Sequence, residues 1–441
     1  MGEIRGLGRR KTRARACIAA LLASLVLCAA GGAGPQSSAD ELKLAIILTR
    51  HGVRAPLLAN DAMAKYAAQP WPKWEVAPAI QTPRGNQLVA FMGDYYRMRF
   101  MASGLLSGDP AVDGPLVFIR ADNDQRTIET GRILGKALVP VGEPDVHALP
   151  EGEADPLYQP YRSHVGHADP GLAAAAVLGR VGGDMGNLER AYAPQFAELK
   201  GILWGAGAGA STPLDGPSEL AAGQKDYLVK LSGPLRVAET CADSLLLEYT
   251  DGMPAPDVGW GKVDGRVMTD VLVLHELFFD LVCRTFYPAQ VGASNIASHI
   301  VDTLEQGAEG EPVPGAIGPS GEHIVVLVGH DSTQASVGGL FGMNWCVAGT
   351  QMNPMLPGGA LVFELWRRGG QDVYYVRTSY VTQSLDQQRE ATPLTLGSPP
   401  ARAPIFIPGC GGPAPNFDAP LASFVRQARK VIDPSFIAPE P

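Results

Sequence analysis

The stretch LTRHGVRAP, Leu48 to Pro56, places Arg50 and Arg54 on either side of His51, directly after the apolar run LKLAII (Leu42–Ile47). A protonated imidazole between two guanidiniums is repelled, so the pattern suits a neutral ring beside a bound anion. A solvated turn is the plain alternative. At average residue frequencies, RHGxRxP arises by chance in a chain this long on the order of once in ten thousand, which favours the chemical reading. Two more stretches carry the same kind of residues: DNDQRT (Asp122–Thr127) with Arg126, and GHDS (Gly329–Ser332) with His330 and Asp331.

Taken together, Arg50, Arg54, Arg126 and His330 could cradle a phosphoryl group, because planar guanidiniums pair bidentately with phosphate oxygens. A neutral His51 could then attack phosphorus and split hydrolysis into two steps through a phosphohistidine. Asp331 is the carboxyl group placed to protonate the departing oxygen. Each residue also has a plainer reading. Asp331 or Ser332, ahead of TQASVGGLFG, would serve as a helix N-cap, and Arg126 in DQRTIETGRIL, taken alone, is more often a solvated helix residue. His275 lies in the apolar stretch MTDVLVLHELFFDLVCR, where a core histidine is the default.

All three motifs follow a short run rich in β-branched residues: LKLAIILT, GPLVFIRA (Gly114–Ala121) and EHIVVLVG (Glu322–Gly329). These read as buried strands. In an open α/β sheet, ligands bind beyond the carboxyl ends of the strands, so the three stretches are expected to meet at one crevice. Helical periodicity runs over Arg84–Leu106, Asn187–Leu203, Met268–Arg284 and Ser294–Gln306, with a hairpin around RRGGQD near the end. The expected division is an α/β domain of residues 40–159 and 316–441, with a mainly helical domain of residues 160–315 inserted. Its connectors are loops at Gly205–Glu219 and Glu309–Gly321.

Residues 1–39 read as a secretory signal peptide and short spacer: six basic residues, an apolar run Ala16–Ala30, then small residues. Fifteen apolar residues are short of the roughly 20 needed for a membrane span. The 441-residue chain has net charge −9; losing the leader removes six basic residues and Glu3, leaving 30 basic against 44 acidic residues, or −14. Such a surface excludes nucleic acid as a partner, and no membrane contact is expected after cleavage. Export favours disulfides, and Cys241, Cys283, Cys346 and Cys410 allow three pairings. No cysteine–histidine clustering points to zinc.

RHGVRAP with the distant GHD resembles the histidine acid phosphatases, the branch of the histidine phosphatase superfamily that includes bacterial periplasmic phytases and glucose-1-phosphatases. The resemblance extends from Leu42 to the C-terminus through WPKW, TPRG, DNDQRT, ADPLYQP, SGPLRVAE, LVGHDS, PGGALVFELW and TPLTL. It implies a mixed, mostly parallel sheet flanked by helices, with a second, mainly helical domain and the active site between them. It implies a phosphate monoester substrate and no metal or organic cofactor. His51 matches the family's nucleophile, Asp331 its proton donor, and Arg50, Arg54, Arg126 and His330 its phosphate ligands. Leu57, Asp122, His275 and Ser332 fall at substrate-pocket positions. Cys410 matches a half-cystine whose partner position is Ala419, so that disulfide is expected to be missing or rewired.

Departures from the family pattern bear on substrate. Phytases of this type follow RHGVRAP with Thr-Lys, whereas this chain has Leu57-Leu58. RAPL, WPKW and GHDS resemble the glucose-1-phosphatases, while TPRG and DNDQRT resemble the phytases. One lost cationic contact costs about 1–3 kcal/mol, enough to weaken use of a heavily phosphorylated inositol without abolishing it. The expectation is an exported acid phosphomonoesterase acting on sugar phosphates such as glucose 1-phosphate, with phytase as the alternative. From another class, a non-catalytic exported anion-binding protein would keep the cradle without turnover.

Overall fold

The computed structural model describes residues 39–438, apart from residues 141, 206–210 and 226. The expected signal peptide and spacer lie, but for Ala39, outside the described residues.

The described residues form ten strands: β1 (Glu41–Arg50), β2 (Val117–Ala121), β3 (Val146–His147), β4 (Glu219–Ala222), β5 (Val229–Ser232), β6 (Ile324–Gly329), β7 (Ala360–Arg367), β8 (Tyr374–Thr382), β9 (Ala401–Pro404) and β10 (Ala419–Pro420). The main sheet is mixed, in the order β10-β8-β7-β1-β6-β2-β3 with β9 against β8, and β4-β5 form a separate hairpin. Its centre is parallel: β1 pairs with β6, β6 with β2 and β2 with β3. From β7 outward the pairing is antiparallel. β6, IVVLVG, is buried along its whole length, as expected of a parallel strand covered on both faces.

Both faces are covered by helices. Leu44, Ile46 and Leu48 face one core and Ala45 and Ile47 the other, the alternation of a strand. Leu42 breaks the alternation by joining Ala45 and Ile47, because the β1–β7 register slips between Leu42 and Leu44. Such a bulge turns the side chains before it to the opposite face.

On the second face lie α1 (Pro83–Ala102) and α2 (Gln125–Leu138). Helix α1 starts where sequence rules place it, with Thr82 Oγ1 accepting the Gly85 N–H at 2.9 Å and Pro83 in the first turn. Gly85 is required there, since a Cβ would sit 2.2 Å from the Val53 carbonyl oxygen. The TPRG motif therefore clamps α1 against the loop that carries Arg54.

The first core joins the sheet to α3 (Pro234–Thr250), α4 (Gly265–Val282) and α5 (Phe286–Glu309) without a break. Finally α6 (Asp331–Leu340) leaves β6 directly. The expected helix over residues 187–203 is two, Gly186–Ala191 and Ala193–Trp204. Pro194 lacks the N–H needed to continue the first helix and opens the second instead. The segment after Gly205 is not all loop, because Glu219 begins β4.

Cys241, Cys283, Cys346 and Cys410 are all free thiols. This corrects the expectation of disulfides. Cys241 is fully buried inside α3 while Cys346 is exposed, and the position opposite Cys410 in the family pattern is Ala419, which cannot bridge. Among the described residues, no helix is long and apolar enough to cross a membrane.

Candidate active site

Parallel register brings the three motifs together. Arg50 pairs with Gly329 across β1–β6, and Ala121 with Val328 across β2–β6. The residues that follow, His51, Asp122 and His330, therefore emerge at one edge of the sheet, where α2 and α6 also begin. Two helix N-termini directed at one crevice favour a bound anion.

His51 is 2% exposed. Its Nδ1 lies 2.8 Å from the Gly52 carbonyl oxygen. A carbonyl can only accept, so Nδ1 carries the proton and Nε2 is left with its lone pair. Burial, then the charges of Arg126, Arg54 and Arg50, hold the imidazole pKa well below its ordinary value. The neutral form of the ring is therefore favoured.

The arginines are fixed from behind. Asp243 on α3 spans two of them, with Oδ1 2.9 Å from Arg50 Nη2 and Oδ2 3.0 Å from Arg54 Nη2. Arg50, fully buried, also donates to the Met355 carbonyl at 2.6 Å. Although burial opposes its charge, Asp243 is held strongly ionised by Arg54 and Arg50. Arg126 on α2 pairs with Asp124 at 2.7 Å. It is not the solvated helix residue of the plain reading: its side chain is 13% exposed and its charge acts on His51. The Nε atoms of Arg50, Arg54 and Arg126 are all buried without hydrogen-bond partners among the described residues.

His330 meets His51 edge to face, the rings 5.6 Å apart. Its Nε2 is 2.8 Å from Asp122 Oδ2, and Asp122 is anchored in turn by Gln159 Nε2 at 3.0 Å. Asp331 Oδ2 lies 3.1 Å from Arg50 Nη2, and its Oδ1 accepts the Ser332 N–H at 2.7 Å. Burial pushes the Asp331 carboxyl up, but Arg50 and His275 outweigh it and the pKa is lowered. Asp331 is not the N-cap of α6. His330 holds that position with extended backbone, and Asp331 is the first helical residue.

His275 on α4 is 1% exposed with neither ring nitrogen hydrogen-bonded among the described residues. Nε2 lies 4.0 Å from Asp331 Oδ2 and Nδ1 3.6 Å from Glu239 Oε1. Burial disfavours its charge, but Glu239, Glu276 and Asp243 raise its pKa to about 9. It is thus a cation behind the site rather than an ordinary core histidine. Leu57 is 54% exposed.

Two triplets place ligand-type atoms close together: Asp122, Asp124 and His330, and Asp243, His275 and Asp331. In both, the oxygens already serve arginine or histidine partners, so a cation would have to compete with them.

The comparisons with known proteins agree with this geometry. A profile of the histidine phosphatase superfamily (branch 2) matches residues 41–165. The phytase AppA of Escherichia coli (strain K12) is 33% identical over 395 residues, covering 85% of this chain and 90% of that protein. The chain belongs to the histidine phosphatase superfamily, branch 2.

As a histidine phosphatase it is a hydrolase. Its other relatives include the glucose-1-phosphatase of Salmonella typhimurium, 27% identical over 412 residues and covering 92% of this chain and 96% of that one. The structure of Hafnia alvei phytase in complex with tartrate superposes with a TM-score of 0.83 at 32% identity, over 92% of this chain and all of that one. Sequence reasoning about this histidine phosphatase gave no role to Asp243, Glu239, Glu276 or Gln159. The available signal for Asp243 and Glu276 was a carboxylate inside apolar helical stretches, CADSLLLEY and VLHELFF.

Proposed function

We propose that this chain is an exported acid phosphomonoesterase that hydrolyses sugar phosphates such as glucose 1-phosphate, with broad tolerance, through a phosphohistidine on His51. The observation that carries the reading is the free Nε2 of a buried, neutral His51 set among Arg50, Arg54 and Arg126, with Asp331 bonded to Arg50.

In this mechanism, Arg50, Arg54, Arg126 and His330 take the phosphoryl oxygens and leave phosphorus facing His51. Nε2 attacks, the bond from phosphorus to the ester oxygen breaks, and that oxygen takes a proton from Asp331. Water then attacks the phosphohistidine, Asp331 accepts its proton, and phosphate leaves with His51 restored. In the free site Arg50 and His275 lower the Asp331 pKa; the charge of an arriving phosphate offsets them and raises its proton affinity. Asp122 and Asp243 position His330 and the two arginines. His275, from the helical segment 160–315, lies behind Asp331, and Ser332 follows Asp331 in α6.

Two lobes, residues 40–159 with 316–441 and residues 160–315, contribute to the cleft in this reading. Its leader and its relatives support a periplasmic or secreted location. A second reading, phytase, is favoured by AppA and the Hafnia alvei enzyme, which are more similar than the glucose-1-phosphatase. The absence of the Thr-Lys pair after RHGVRAP supports the sugar-phosphate reading. Measuring kcat/KM for glucose 1-phosphate and phytate on the purified mature protein decides between them. A phytate preference of about tenfold or more, roughly 1.4 kcal/mol, would replace the sugar-phosphate reading. Failure to hydrolyse an aryl phosphate under acidic conditions would instead favour the non-catalytic alternative.

A further inference from the structure

A cavity of about 300 Å³ opens on the antiparallel half of the sheet, lined by Arg377, Thr378, Ser379, Arg402, Pro404 and Asn416. β7 separates β8 from β1, and none of these residues belongs to the ring around His51. Arg377 and Ser379 share one face of β8, and Arg402 and Pro404 of β9 pair with Val381 and Ser379 of that same face.

The arginines are incompletely used. Arg377 is gripped by Asp418, Nε to Oδ1 at 2.8 Å and Nη2 to Oδ2 at 3.1 Å, and lies over the Trp366 ring. Its Nη1 makes no hydrogen bond among the described residues. Arg402 spends only Nη2, on Glu364 Oε2 at 3.0 Å, leaving Nε and Nη1. Glu364, fully buried, is shared with Arg99. Three guanidiniums thus face two carboxylates, a residual charge of +1 on a chain whose net charge is −9.

The hydroxyls point the same way. Ser379 is 0% exposed, and its Oγ has no hydrogen-bond partner among the described residues. Tyr96 Oη, outside the cavity lining, also has no partner among the described residues. A buried hydroxyl without a partner costs about 1–3 kcal/mol, so the cavity is better satisfied filled with an acceptor than bare.

We propose that this cavity is a second anion site, separate from the catalytic cradle, which takes a small tetrahedral oxyanion of the phosphate type. Arg377 Nη1 and the free donors of Arg402 supply charge-assisted hydrogen bonds, Ser379 and Asn416 complete the polar lining, and the fixed carboxylates hold both guanidiniums in place. The volume exceeds one oxyanion and admits waters bridging it to the walls.

Equilibrium dialysis of the full chain against radiolabelled inorganic phosphate counts the sites. The wild type is expected to bind two phosphates per chain. Ser379→Val, which suits a strand and removes the hydroxyl, and Arg402→Gln, which keeps a polar partner for Glu364, should each lose one. In both variants kcat and KM on a phosphate ester should stay as in the wild type. No binding at all, or a site count that neither substitution changes, overturns the inference. A single site that Ser379→Val abolishes would uphold it while counting against phosphate binding at the cradle.

Discussion

Arg50 Nη2 and Asp331 Oδ2 lie 3.1 Å apart, so one ion pair ties the residue before His51 to the first residue of α6. The proposed phosphate ligand and the proposed proton donor are therefore coupled. The same guanidinium, proposed as a phosphate ligand, lowers the carboxyl pKa against the pull of burial.

His51→Ala should remove turnover and leave the fold intact, because among the described residues the ring's one hydrogen bond is to the neighbouring Gly52 carbonyl. The check is kcat on an aryl phosphate alongside circular dichroism. Residual activity above about one percent would speak against covalent catalysis by His51.

Asp331→Asn should separate substrates by leaving group. An aryl phosphate needs little protonation and should keep much of its rate, whereas an alkyl phosphate should lose about 10²-fold or more. In the wild type, activity on alkyl phosphates should fall as pH rises from acidic values, since Asp331 must carry its proton. The depressed pKa of His51 means that acidification does not protonate the nucleophile until well below pH 6.5. Equal losses on both substrate types in the variant would remove Asp331 as the acid.

Much of this arrangement is legible in the sequence, for a local reason. The strands β1, β2 and β6 carry apolar runs with β-branched residues, and each is followed at once by the polar residues it presents. Parallel pairing then dictates that those residues meet. Asp243 and Glu276 were not legible as site residues, because each occupies a helix whose period fits a buried core, and only the packing of α3 and α4 on the sheet reveals their partners. The bulge after Leu42 was hidden too, since it depends on β7, which is far away in the chain.

Asp243→Asn should destabilise the protein by roughly 2–4 kcal/mol, because it leaves Arg50 and Arg54 buried with their shared counter-charge gone. Urea unfolding measures the loss. KM should rise as well, as two cradle arginines lose their anchor. A variant as stable as the wild type would show that the pair is held by other contacts.

His275 makes stability depend on alkaline pH. Its pKa is raised from 6.5 to about 9 in the folded chain by Glu239, Glu276 and Asp243, against the pull of burial. The folded state therefore favours the charged ring. That contribution is fully present below about pH 6.5 and is lost as pH rises through about 9. The stability difference between wild type and His275→Gln, followed by urea midpoints, should shrink over that interval. A difference constant with pH would mean that His275 is not a cation in the native protein.

The most direct test of the central claim is rapid quenching of the enzyme with a radiolabelled phosphate ester, followed by peptide mapping under alkaline conditions, where phosphohistidine survives and acyl phosphates do not. The account predicts label on the peptide containing His51, approaching one phosphoryl group per chain. Turnover with no label on that peptide, or label on a different residue, would contradict it.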